Sequence, residues 1–305
     1  MRLRVTLAQL APVLGNVQRN LEKHVEWIAA NAQESDLIVF PELSLSGYLL
    51  YDLVPEVALR PSNPDDPVFP TLKRLSREYN VDLVVGFVEE DPRHRFYTAA
   101  AYIHQGHIVH VHRKVYLPTY GLFLEGRDLA AGDAVRAFDA PWGRAGMLIC
   151  EDFWHASPPY ILWLDGADVL IHHSASPGRG LRGKGKLDSS RFVEEVNQTY
   201  AALFTVYVLH CNRAGVEDGI NFWGGSAVYG PDGTVIAQAP YFEEYSLYAE
   251  VDLREVQRVR QRLPLLRDER PELLIREVQR ILAERASTLT RTAPPYPTGT
   301  SARQV

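Results

Sequence analysis

Cysteine is scarce in this chain, with two among 305 residues, Cys150 and Cys211. That excludes a disulfide-stapled scaffold and points to a reducing, cytoplasmic compartment. Long apolar runs are missing: none reaches the roughly 18 residues that a membrane helix needs. The short, charged start Met1-Arg-Leu-Arg reads as a first strand rather than a signal peptide. Positive charge is not in excess either. A net charge of −6 argues against nucleic acid as the main partner, because phosphate binding needs a basic surface. Lysine makes up only 5 of the 32 basic residues, so each lysine, Lys114 included, merits placing.

Two apparent motifs are incomplete. Gly178–Gly185 nearly spells a phosphate-binding loop, but Gly185 stands where the Mg²⁺-binding Ser/Thr should follow Lys184, and no helix opens there. His172 and His173 are adjacent, so on a strand they face opposite ways, and no third ligand lies nearby in sequence. Neither a metal nor a cofactor is expected.

What is present is a globular composition, 46% hydrophobic and 23% charged, in alternating strand-like and helix-like segments without linker or repeat. Strands are expected at Leu3–Gln9, Leu37–Phe40, Val81–Val88, Phe96–His104, His107–Arg113, Val135–Phe138, Arg144–Ile149 and Val169–His172. A long β-rich run follows at Ala201–Cys211, then strands at Gly225–Tyr229, Val235–Gln238 and Ser246–Val251. Helices are expected at Asn16–Ala32, Pro67–Tyr79, Pro159–Asp165 and Leu187–Gln198. The reading is an α/β domain over residues 1–252, an arginine-rich helical arm over 253–285 including Glu272–Arg285, and a mobile tail over 286–305.

Three reactive residues lie just past expected strand ends, where layered α/β folds collect ligands. Glu42 follows Leu37-Ile-Val-Phe-Pro41. Desolvation there would make it a better base; a solvated loop glutamate is the alternative. Lys114 follows His107–Arg113 and could face a developing oxyanion or simply pair on the surface. Cys150 ends Arg144–Ile149 and opens the polar turn Glu151-Asp152-Phe153-Trp154, as a nucleophile or as a buried core thiol. Cys211, inside Val208-Leu-His-Cys211, reads as core.

Together, Phe40-Pro41-Glu42, Lys114-Val-Tyr-Leu-Pro118 and Cys150-Glu151-Asp152 resemble, in order and separation, the three signatures of the nitrilase (carbon–nitrogen hydrolase) superfamily. Within it, Leu117-Pro-Thr-Tyr120-Gly-Leu-Phe123-Leu-Glu125 and Ser174-Ala-Ser176-Pro177 are similar to the glutaminase domain of glutamine-dependent NAD synthetases. That branch's usual Asn-Gln-Val-Gly appears as Asn212-Arg213-Ala214-Gly215, and the Ser-Gly-Gly-x-Asp-Ser loop of the synthetase half is absent from the sequence.

The resemblance implies a four-layer αββα sandwich, a single domain with a C-terminal arm. It also implies a Glu42–Lys114–Cys150 triad that cleaves a primary amide such as glutamine through a cysteine thioester. Glu125 would be a supporting carboxylate, and Tyr48, Tyr120, Glu151 and Ser176 would hold the substrate. A homodimer or larger is implied, with Leu273, Leu274, Ile275 and Ile281 of the arm as a docking face. A separate synthetase chain could receive the ammonia. A nitrile or N-carbamoyl hydrolase remains the alternative, and a ligand-binding partner subunit the non-enzymatic one.

Overall fold

The computed structural model describes residues 1–63, 65–179 and 187–292. Most of the phosphate-loop-like stretch, Lys184 included, and residues 293–305 of the expected tail lie outside the described residues. The chain forms two compact units, Met1–Leu266 and Arg267–Val305.

In the first unit the chain begins β1 (Arg2–Gln9), α1 (Val17–Asn31), β2 (Leu37–Val39), α2 (Val54–Val57) and α3 (Val68–Glu78). It continues β3 (Asp82–Glu90), β4 (Phe96–His104), β5 (His107–Arg113), β6 (Phe138–Ala140), β7 (Gly143–Ile149), α4 (Ser157–Leu164) and β8 (Val169–Ser174). Then come α5 (Asp188–Phe204), β9 (Tyr207–Asn212), β10 (Ala214–Glu217), β11 (Ile220–Trp223), β12 (Ala227–Tyr229), β13 (Val235–Gln238), β14 (Tyr245–Asp252) and α6 (Arg254–Arg262). A short α7 (Leu265–Asp268) precedes α8 (Pro271–Thr292) of the second unit.

Two six-stranded sheets result, ordered β14-β1-β2-β3-β4-β5 and β13-β12-β9-β8-β7-β6. Each has three parallel strands, β1-β2-β3 in one and β7-β8-β9 in the other, flanked by antiparallel ones. The parallel strands β2 and β8 are buried along their whole length, as continuous apolar runs require when both faces are covered. The outer strand β14 alternates buried and exposed over much of its length.

Three buried clusters define the layers. One lies between the sheets, joining Leu3, Val5, Val84 and Tyr102 of the first to Met147, Ile149, Ile171 and Leu209 of the second. A second packs Leu21 and Ile28 of α1 and Phe69 and Leu72 of α3 on the first sheet. A third packs Leu162 of α4 and Ala201 and Phe204 of α5 on the second. The order helix, sheet, sheet, helix is the four-layer sandwich.

Some boundaries differ from the expectations. Residues 201–204 finish α5, because Val193, Asn197, Ala201 and Phe204 share one buried helical face; Thr205, at φ +52°, ends the helix. Val135 is not in a strand; pairing with β7 begins at Phe138. An unexpected hairpin joins β10 to β11 through Asp218-Gly219, both at positive φ (48° and 77°), the geometry that two-residue turns favour. In the second unit, α8 extends beyond Arg285 to Thr292. Its Leu273, Leu274, Ile275, Val278, Ile281 and Leu282 are exposed.

Candidate active site

Glu42 lies three residues beyond β2, on a turn laid directly over Gly86 of β3. A Cβ on Gly86 would sit 2.4 Å from Pro41 O and 2.6 Å from Leu43 N, so only glycine admits this approach. The Glu42 side chain is 1% exposed. Its Oε2 accepts the backbone N–H of Ala175, just past β8, at 2.8 Å, and its Oε1 accepts Lys114 Nζ at 2.8 Å.

Lys114 is fully buried. Its own N–H still pairs with Thr98 O of β4, which fixes where the side chain starts. Nζ donates to both Glu42 and Glu125, the latter at 2.7 Å. Glu125 Oε1 also accepts the Tyr48 hydroxyl at 2.5 Å, while its buried Oε2 has no hydrogen-bond partner among the described residues. Burial alone would pull the lysine down, but the charges of Glu125 and Glu42 outweigh it and hold the ammonium well above its ordinary pKa.

Cys150 is buried and opens a 3₁₀ turn, Cys150–Trp154, at φ +46°. A β-carbon residue in that region is strained, and the strain here accompanies a sharp strand-to-turn reversal. Burial and then the Glu42 charge raise the thiol well above its ordinary pKa, with Lys114 opposing. The resting sulfur is therefore a thiol. Burial, against the pull of Lys114, pushes the Glu42 carboxyl up to about 7.

Asp152 holds this turn to the lysine segment. One oxygen accepts the N–H groups of Val115 and Tyr116, both at 2.9 Å. The other accepts Ile149 N at 3.1 Å and meets His112 Nε2 at 2.8 Å. Burial would raise this carboxyl, but His112 and the backbone N–H donors overcome it and hold it below the usual range. No local sequence signal gives Asp152 its role in the cysteine turn or marks His112. In His107–Arg113 the alternating histidines look like a solvent-facing edge.

Cys150 lines a cavity of about 260 Å³ together with Tyr120, Glu151, Ser176, Phe123 and Trp154. Three of the four expected substrate residues therefore share the cysteine's pocket. Tyr120, 54% exposed, donates its hydroxyl to Glu151 Oε2 at 2.6 Å. Ser176 is placed by its N–H bond to Asn212 Oδ1 at 2.9 Å. Tyr48 is elsewhere: it lines a separate small cleft with Glu125 and bonds that carboxylate. Arg179, not expected, also lines the larger cavity, its guanidinium 5.5 Å from the Phe123 ring centre. Among the described residues, no group of three or more His, Cys, Asp or Glu could hold a metal ion. Nor is any helix long and apolar enough to cross a membrane.

The fold is shared with known proteins. Residues 4–261 match the carbon–nitrogen hydrolase family, and the chain belongs to it, as a nitrilase-superfamily hydrolase of non-peptide carbon–nitrogen bonds. A glutamine-dependent NAD(+) synthetase of Thermotoga maritima is 35% identical over 264 residues, covering 85% of this chain and 43% of the relative. The solved glutamine-dependent NAD+ synthetase of Acinetobacter baumannii superposes with a TM-score of 0.73 at 30% identity, over 83% of this chain and 46% of that one. An N-carbamoylputrescine amidase of Arabidopsis thaliana is 28% identical over 255 residues, 80% of this chain and 84% of the relative. The chain thus spans less than half the length of the two synthetases.

Removing Asp152 strands a buried histidine and three backbone donors. Asp152→Ala should lower the urea unfolding free energy by about 3 kcal/mol. An unchanged urea midpoint would refute the bridging role.

Proposed function

We propose that the protein hydrolyses a primary amide, of the glutamine type, through a thioester on Cys150. The observation that carries this is the fully buried Lys114 ammonium shared by Glu42 and Glu125, charges that all act on a thiol opening onto a pocket. Glu42 takes the Sγ proton as sulfur attacks the substrate carbonyl. Lys114, with the backbone N–H of Glu151, stabilises the oxyanion. The carbon–nitrogen bond breaks as Glu42 returns the proton, and ammonia leaves. Water then gives a proton to Glu42 and its oxygen to the acyl carbon. The carbon–sulfur bond breaks, and the departing thiolate recovers that proton. Glu125 Oε2, without a partner among the described residues, is suited to receive a substrate N–H.

The pocket's charges support an amino-acid amide. Among its described lining residues the charged groups are Glu151 and Arg179, one for an α-ammonium and one for an α-carboxylate. Tyr120, Ser176 and Ser189 add hydroxyls to the lining, and Tyr48 acts through Glu125. The similarity to two glutamine-dependent synthetases supports delivery of ammonia to a synthetase chain. A second reading, hydrolysis of an N-carbamoyl group, is favoured by the Arabidopsis relative matched over most of its length. The exposed apolar residues of α8 support a homodimer or larger, which sedimentation as a monomer at micromolar concentration would contradict.

An ammonia-release assay over amides, nitriles and carbamoyl compounds tests the reading, with glutamine expected to lead and Cys150→Ala to be inactive. Glu42 accepts a proton only as a carboxylate. Since its carboxyl is raised to about 7, kcat/KM should fall as pH drops through about 7 and level off above it. A limb at the ordinary glutamate value would contradict the assignment. Arg179→Gln should raise KM for glutamine roughly 10-fold or more, the loss of a charged hydrogen bond. A neutral aliphatic amide should be unaffected, and equal effects on both would remove Arg179 from the carboxylate subsite.

A further inference from the structure

Arg213, where the resembling branch carries glutamine, is fully buried just past the end of β9. Its Nη1 donates to Glu217 Oε2 at 2.5 Å, and its guanidinium lies 4.1 Å from the Phe222 ring centre. Nε and Nη2 find no acceptor among the described residues. A buried guanidinium with unmet donors is a costly way to fill space, so packing alone does not account for it.

The pair is wired to the site. Glu217 Oε1 accepts the N–H groups of Tyr48 at 2.8 Å and Leu49 at 2.7 Å. Phe222, beneath the guanidinium, meets the Tyr48 ring edge-on at 5.9 Å. Tyr48 in turn bonds Glu125, which bonds Lys114, which bonds Glu42. This connected set holds three carboxylates, Glu42, Glu125 and Glu217, against two cations, Lys114 and Arg213. One negative charge remains, the one Glu42 needs to accept a proton.

We propose that the Arg213–Glu217 pair is a positioning element of the site, fixing the Tyr48–Leu49 turn and supplying the second buried positive charge that keeps Glu42 available as a carboxylate. The proposal rests on the reading of Glu42 as the base. The other groups facing Glu42 among the described residues are Lys114, Glu125, the Tyr48 phenol, the Cys150 thiol and the Ala175 N–H. His173, bonded to Phe40 O, is pushed down to about 4 by burial and carries no charge near neutrality. Glu42 is also among the carboxylates whose charge acts on Arg213.

The test is kcat/KM against pH for a hydrolysed amide, with thermal unfolding recorded alongside, in Arg213→Gln, Arg213→Lys, Glu217→Gln and the double variant Arg213→Gln/Glu217→Gln. Arg213→Gln should move the acid limb upward by about half a unit or more, and Glu217→Gln should move it downward, as loss of a nearby charge of either sign requires. The double variant removes one charge of each sign and keeps an oxygen acceptor for the Tyr48 and Leu49 N–H groups, so its limb should return to the wild-type position. Arg213→Lys should keep that position. If Arg213→Gln does not fold, the opposite shift in Glu217→Gln and its reversal in the double variant still decide the matter. A limb that stays put in the folded variants, or a double variant that does not restore it, overturns the proposal. A wild-type enzyme without a limb near 7 would instead overturn the assignment of Glu42.

Discussion

A lysine ammonium with no access to water is the constraint on which the site turns. Lys114 is fully buried, and an unpaired charge there would cost several kcal/mol. Its two carboxylate partners must therefore arrive together, Glu42 from the end of β2 and Glu125 from the 3₁₀ turn that follows the Lys114 segment. That demand constrains the path of the chain between residues 114 and 125. The same arrangement lifts the Glu42 carboxyl toward neutrality while the ammonium stays charged. Two carboxylates and an ammonium thus share one desolvated cluster.

Cys150 comes from the other sheet, so the two sheets must be held in register at their strand ends for it to meet this cluster. Asp152 does much of this. It takes N–H groups from both sides of the junction, Ile149 at the end of β7 and Val115 and Tyr116 beyond β5, and it pairs with His112 within β5. The backbone of Cys150, at φ +46°, is kept in its strained conformation by this clamp and by the inter-sheet core around it. The Ala175 N–H on Glu42 adds a second tie between the sheets.

The layering and the candidate triad could be read from the sequence because both rest on local pattern. Buried parallel strands are short apolar runs, and Glu42 and Cys150 stand just beyond β2 and β7, while Lys114 follows the antiparallel edge strand β5. Tyr120, Glu151 and Ser176 were legible as pocket residues through resemblance alone. What was not legible depends on partners far away in the chain. Tyr48 bonds Glu125 rather than facing the cysteine's pocket because the turn that carries it is tied to Glu217, 169 positions on. Arg213 looked like a departure from a motif until Glu217 and Phe222 appeared around it. The 201–204 segment looked β-rich because its composition is, yet its burial follows the period of α5. The Asp218-Gly219 turn was a local signal that was overlooked.

The central claim is that the buried Glu42–Lys114 pair drives acyl transfer to Cys150. Mixing the enzyme with a hydrolysed amide, quenching in acid within the first turnovers and mapping the peptides by mass spectrometry tests it most directly. The account predicts the substrate's acyl group on Cys150, released by hydroxylamine as a thioester is. Full turnover with no acyl adduct on Cys150 at any quench time, or an adduct on another residue that chases to product, would contradict it.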